Sequence, residues 1–322
     1  MLRSPGRGFI LERRANSKLI IALALFAGTA FMARPGETQD SDPVPYGLPF
    51  VEGIKPETVC GPGNDLQDVE LYDGSLGVTL DYVAANQGST VQFQWKPERA
   101  IRRELPGYTP GTVGGRPWCT GTLISDRMVL TAGHCFETQR GGASGWTTPY
   151  FRERDGEHRI VYASDQQLAR LQLVHFGYQM NPETHVARVA RSFAIERVVE
   201  RVYRERGIDF ALVELAPDAD GNYPGAFVRP AALASRAAVA GETLVIIQHP
   251  QGQPKKIGVG TAAADGEPFI FYNDIDTLGA SSGAGVRDAQ GNILGVHIRG
   301  GCETSANSAV SIIAIEGVSD VL

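Results

Sequence analysis

Ten short runs of apolar, β-branched and aromatic residues, separated by Gly, Pro, Asn and Asp turns, set the terms on which this chain can fold. They lie at 76–83, 90–95, 120–124, 128–131, 171–178, 210–215, 243–248, 269–272, 293–298 and 309–315. Runs of that length are strand-sized, and many of them at this spacing specify an all-β barrel or sandwich. Turn formers are abundant, with 38 Gly and 19 Pro in 322 residues. At 43% hydrophobic and 20% charged, the chain can build a buried core and lacks the signature of disorder, collagen or a polytopic membrane protein. The segment 188–206 (RVARSFAIERVVERVYRER) fits neither strand nor helix period, and both stay open. Its arginines read as a solvated face.

The first 30 residues carry Arg3, Arg7, Arg13, Arg14 and Lys18 against Glu12 alone, and an apolar run extends from Leu19 to Ala33. This order, with small Gly28 and Ala30 before a cut, reads as a secretory signal peptide over 1–30. A membrane span usually wants about 20 apolar residues, so cleavage is expected rather than a stable membrane anchor. Losing the segment moves the formal charge from −6 to −10. So acidic a chain lacks the basic face that nucleic acids require, and no nucleic-acid partner is expected. Residues 31–67, rich in Pro, Gly and acids, read as a propeptide or N-terminal linker, and a folded domain is expected over 68–322.

The four cysteines, Cys60, Cys119, Cys135 and Cys302, are an even number, which suits two disulfides in a secreted, extracellular protein. The competing reading is a zinc site from Cys119, His134 and Cys135. Adjacent His and Cys side chains seldom reach one tetrahedral ion and no fourth ligand is near in sequence, so no metal is expected.

Three segments carry chemistry. CTGTLISDRMVLTAGHCF is a β-hairpin pattern ending in Thr131-Ala132-Gly133-His134-Cys135; GIDFALVEL places Asp209 at an apolar strand; DTLGASSGAGV is a small-residue loop around Ser282. A serine nucleophile needs a base, a carboxylate to orient that base and donors for the oxyanion, and these segments supply them in the order His, Asp, Ser. Together they resemble the chymotrypsin-fold (trypsin-like) serine peptidases, in the bacterial and fungal branch that includes the glutamyl endopeptidases. The T-A-G-H-C segment with its upstream cysteine is the most specific part, and the likeness covers roughly 68–322.

The resemblance implies a two-barrel antiparallel β fold with the active site in the cleft between barrels, a protein or peptide substrate, and no cofactor. It makes His134 the general base, Asp209 its orienting acid and Ser282 the nucleophile. The 75-residue interval from His134 to Asp209 is long, so an insertion is expected between Glu137 and Arg206, and Asp155 and Asp165 within it remain rival acids. The resemblance also implies a Cys119–Cys135 bridge that anchors the histidine loop, with about 3 kcal/mol of chain-entropy stabilisation, and with it Cys60–Cys302.

The nucleophile loop, Gly279-Ala280-Ser281-Ser282-Gly283, departs from the family pattern G-G-S-S-G at Ala280, which replaces a glycine and whose backbone N–H should form the oxyanion hole with that of Ser282. If this residue needs a positive φ, its Cβ costs about 1–2 kcal/mol. The alternative to an active enzyme is therefore a catalytically impaired homologue serving as a secreted binding protein. In the glutamyl enzymes the residues matching Thr277 and His297 bind an acidic P1 side chain, which implies the same preference here, with Arg299 and Gly300 at the end of the substrate-pairing strand. The segment His249-Pro250-Gln251-Gly252 reads as a sharp turn.

Overall fold

The computed structural model describes residues 59–138, 145–153, 159–205, 207–302 and 305–322. The expected signal peptide, the linker up to residue 58 and the rival acid Asp155 lie outside them.

The strands through the first half are β1 (Gln67–Asp68), β2 (Thr90–Trp95), β3 (Pro117–Leu123), β4 (Met128–Thr131), β5 (Tyr150–Arg152), β6 (Ile160–Tyr162), β7 (Gln172–Phe176), β8 (Arg191–Glu205) and β9 (Ile208–Leu215). Six of them close into a barrel in the order β2-β3-β4-β9-β8-β7, while β5 and β6 pair separately. The second half supplies β10 (Thr243–Gln248), β11 (Lys256–Thr261), β12 (Phe269–Tyr272), β13 (Gly285–Arg287), β14 (Ile293–Arg299) and β15 (Asn307–Ser311). With β1 they form a curled seven-stranded sheet ordered β1-β11-β10-β13-β14-β15-β12, antiparallel at every pairing. This is the two-barrel, mostly-β architecture expected from the sequence.

One apolar core runs unbroken from Val91 and Phe93 in the first barrel to Ile246, Val286 and Val296 in the second. Alternate residues of a strand face opposite sides. Leu244 and Ile246 of β10 therefore enter this core, while Val245 and Ile247 turn away and pack with Val69, Tyr72, Val83 and Ile257.

That outer face decides the fate of 76–83, which is not the expected strand. Thr79 caps a helix over Leu80–Asn86, its hydroxyl accepting from the Tyr82 N–H at 3.1 Å. Leu80 is exposed and Val83 buried, so the helix lays one side over β10, and the alternation Leu76, Val78, Leu80, Tyr82 only mimics a strand. The run 309–315 is likewise half strand: β15 stops at Ser311, whose hydroxyl caps a helix over Ile312–Glu316.

The ambiguous 188–206 segment forms the 15-residue strand β8. Its register against β9 shifts between Ile195 and Arg197, between Val198 and Glu200, and between Tyr203 and Glu205. Each bulge moves the following residues to the other face, which is why no single period fits the sequence. Its arginines do more than face solvent: Arg197, together with Arg127, reaches the buried Glu214 carboxylate at 2.7 Å, and Arg191 pairs with Asp218.

Candidate active site

The β3–β4 hairpin delivers the chain into a 3₁₀ turn over Gly133–Phe136, and the Cys119–Cys135 disulfide fastens this turn to β3. Gly133 is required for the fit. A Cβ there would lie 2.4 Å from the Val202 carbonyl oxygen and 2.8 Å from that of Phe210, so the turn rests directly on β8 and β9. Asp209 of β9 then meets His134 twice. Its Oδ1 accepts the His134 backbone N–H at 3.0 Å, and its Oδ2 lies 2.7 Å from the ring Nδ1. A carboxylate accepts, so Nδ1 carries the proton and Nε2 becomes the basic nitrogen of the neutral ring.

Two residues of β8 support this turn and were not legible as site residues. Arg201 donates from Nε to the Gly133 carbonyl at 2.7 Å and lies over the Tyr203 ring, whose centroid is 6.2 Å from that of His134. Of the rival acids, Asp165 opens the helix over Asp165–Arg170 and its carboxylate accepts the Gln166 N–H at 2.8 Å.

Ser282 sits in the loop entering β13 and is nearly buried. Its carbonyl accepts the Thr120 N–H at 2.8 Å, and the next residue, Gly283, donates to the His297 carbonyl at 2.7 Å. Gly283 has φ +89, and a Cβ there would come within 2.1 Å of both the Thr120 carbonyl oxygen and the Thr131 Oγ1, and 3.0 Å from the Ala132 nitrogen. The serine loop is thus pressed onto the strand ends that lead into His134. Ala280 adopts φ +73, the left-handed region, and is buried.

Thr277 and His297 are both fully buried. Thr277 Oγ1 has no hydrogen-bond partner among the described residues, and His297 Nδ1 is bonded to the Tyr272 hydroxyl. Arg299 ends β14 with its side chain exposed, and Gly300 follows it half-buried. Around this wall, Asn307 donates to the Ile275 carbonyl at 2.9 Å and accepts the Gly301 N–H at 2.7 Å. Asp276, beside Thr277, accepts the N–H groups of Cys60 at 2.6 Å and Asp65 at 2.9 Å, while Cys60 is disulfide-bonded to Cys302. Tyr272 and Asn307 had no motif to mark them, and Asp276 stood in the serine-loop segment without an assigned role.

Elsewhere, burial favours the neutral form of three buried bases. Burial pushes His249 down to about 3 and His175 down to about 4, and it lowers Lys255 to about 7. Lys255 donates to the Gln87 carbonyl at 2.7 Å and to Gln179 Oε1 at 3.3 Å. The Cys119, His134 and Cys135 cluster offers no thiolates, since both sulfurs are committed to the disulfide.

No curated protein matches the chain. Among solved structures it is similar to a Glu endopeptidase in complex with MPD, at 18% identity over 80% of this chain and 96% of that one, with a TM-score of 0.49. It is also similar to the active form of a protease from M. tuberculosis, at 14% identity over 76% of this chain and 85% of that one, with a TM-score of 0.45. The model of the trypsin-like peptidase domain matches residues 119–296, a stretch that begins at the disulfide beside the histidine turn and ends next to His297. The chain therefore belongs to the trypsin-like peptidase family and is a serine endopeptidase.

Proposed function

We propose that this endopeptidase works through an acyl-enzyme on Ser282, is exported, and prefers an acidic residue at P1. The observation that carries the catalytic reading is the pair of contacts from Asp209 to His134, at 3.0 Å and 2.7 Å, beside a serine loop packed against Ala132. In the forward half-reaction Ser282 Oγ attacks the scissile carbonyl carbon and its proton passes to His134 Nε2. The carbonyl oxygen takes the negative charge, for which the N–H groups of Ala280 and Ser282 are the donors. The C–N bond then breaks as His134 returns the proton to the leaving amine, and water reverses these steps to release the acid. The left-handed φ of Ala280, +73, supports an active loop over the impaired-homologue reading.

Export rests on the residue pattern of 1–30, with 31–67 as linker or propeptide before the peptidase domain from 68. Two disulfides in the fold support it. Among the described residues no helix is long and apolar enough to cross a membrane.

The acidic preference rests on Thr277 and His297. A buried hydroxyl without a partner is costly, about 1–3 kcal/mol, and a substrate carboxylate is an acceptor that removes the cost. The catalytic reading is tested by Ser282→Ala, His134→Ala and the double variant. Residues acting as one unit give a double loss little larger than either single loss, and additive losses count against them. The specificity reading is tested by ranking cleavage after Glu, Lys and Leu. Glutamyl substrates should lead, and Thr277→Val should narrow the lead; equal cleavage after all three removes the acidic preference alone.

A further inference from the structure

The Gly279–Ala280 peptide is held in one orientation by groups from outside its own loop. The Gly279 carbonyl accepts the Gln251 N–H at 2.5 Å. In a trans peptide the C=O and N–H point in opposite directions, so fixing this oxygen aims the Ala280 N–H away from the 249–253 turn. The following carbonyl, that of Ala280, accepts from Thr120 Oγ1 at 2.8 Å in a fully buried contact. The same hydroxyl accepts the His249 N–H at 3.1 Å, which commits its one proton to Ala280.

The turn that does this is itself held by contacts on several sides. Gln251 has φ +54, and the Gly252 carbonyl accepts from the buried Gln92 side chain at 2.9 Å. A Cβ at Gly252 would lie 2.1 Å from Pro117 Cβ, and the His249 ring stacks on Tyr178 at 5.9 Å. The need for such support follows from the residue held. At φ +73 an alanine is strained by about 1–2 kcal/mol relative to its ordinary conformations, and rotation of the 279–280 peptide relieves that strain while turning the N–H out of the oxyanion hole.

We infer that the Thr120 hydroxyl and the backbone of the His249–Gln253 turn are positioning groups for the oxyanion-hole N–H of Ala280, and that they are what permits alanine where the family pattern has glycine. This rests on reading Ser282 as nucleophile and Ala280 as oxyanion donor. Thr120 and the turn touch no reacting atom; they act through the direction of one peptide.

The test is Thr120→Val, which keeps the side-chain shape and removes the hydroxyl, with Thr120→Ser as the conservative rescue. Losing one oxyanion donor outright costs about 10²–10³ in rate, and a partly populated rotated peptide costs less, so kcat should fall about 10- to 100-fold with KM little changed. Affinity for a peptide aldehyde, which forms a tetrahedral adduct on Ser282, should fall by the same factor. Affinity for the corresponding peptide without an electrophile should hold, and Thr120→Ser should restore both losses. If the valine variant does not fold, Thr120→Ala removes the hydroxyl without a new contact and is read the same way. Wild-type kcat and aldehyde affinity in the valine variant overturn the inference, as does an equal loss for both peptides. A wild-type chain that neither binds the aldehyde nor is labelled at Ser282 by a fluorophosphonate overturns the catalytic reading and the inference with it.

Discussion

Gly283→Ala isolates what the close approach of the serine loop is worth, provided it is compared with Gly74→Ala. Both glycines are left-handed, with φ +89 and +85. A Cβ on Gly74 meets nothing within 4 Å, so that variant bears only the left-handed penalty. The penalty is about 1–2 kcal/mol, offset by about 0.4–1 kcal/mol from a less flexible unfolded chain, leaving a net loss of about 1 kcal/mol. At Gly283 the added carbon would sit 2.1 Å from the Thr120 carbonyl oxygen and from Thr131 Oγ1. Those two atoms are themselves hydrogen-bonded at 2.7 Å. Forcing them apart adds about 1–3 kcal/mol for the buried hydrogen bond and overpacking on top of that. Gly283→Ala should therefore lose about 2–6 kcal/mol more than Gly74→Ala. Urea denaturation of the two variants measures the difference. Displacing the serine by something near 1 Å should also cut kcat about 100-fold, while Gly74→Ala keeps wild-type turnover. Equal stability losses, or a Gly283→Ala enzyme with normal kcat, would refute the packing of the serine loop on the histidine strand ends.

Acid stability should follow the buried histidines. A free imidazole titrates near about 6.5, whereas His175 and His249 are held to about 4 and about 3. Below pH 6.5 the unfolded chain takes up these protons first, so stability is intact above that pH and falls on acidification towards 4, by up to about 1.4 kcal/mol per pH unit for each histidine. Urea melts at pH 7 and pH 5 should show a loss about 2 kcal/mol smaller in His175→Gln than in wild type; an equal loss removes His175 from the account. Asp209→Asn keeps the acceptor for the His134 N–H but offers the ring an NH₂ group, which selects the wrong tautomer. Its kcat should fall by about 10⁴ with the fold retained, and near-normal turnover would place the orienting acid elsewhere. Removing the Cys119–Cys135 bridge as a Cys119→Ala, Cys135→Ala pair should cost about 3 kcal/mol, read as a lowered urea midpoint; an unchanged midpoint contradicts its structural role.

The strands were legible wherever one apolar run meets one core. The middle of β10, buried on both faces, is continuous in Leu, Val and Ile, and β9 is buried throughout, its apolar run broken only by Asp209 and Glu214. Legibility failed where a local signal was overridden by a neighbour far along the chain. The helix over Leu80–Asn86 is specified by a Thr cap and by the need to cover β10, and a two-residue alternation hides both. The bulges of β8 follow from pairing with β9 and leave only a broken period in the sequence. At the candidate site, the His134–Asp209 contact was readable because each residue sits in a short motif with a chemical reason for its residue types. Arg201, Tyr272, Asn307 and Thr120 were not, because their roles are made by contacts to backbone or to side chains brought together by the fold. The hydroxyl of Thr120 and the carbonyl of Ala280 stand 160 positions apart in the chain.

The central claim is that Ser282 is a nucleophile activated by His134. Incubating the folded chain with a fluorophosphonate and mapping the adduct by peptide mass spectrometry tests it most directly. The expected result is a single adduct on Ser282, lost in Ser282→Ala and formed far more slowly in His134→Ala. An unmodified Ser282, or an adduct that survives Ser282→Ala, would contradict it.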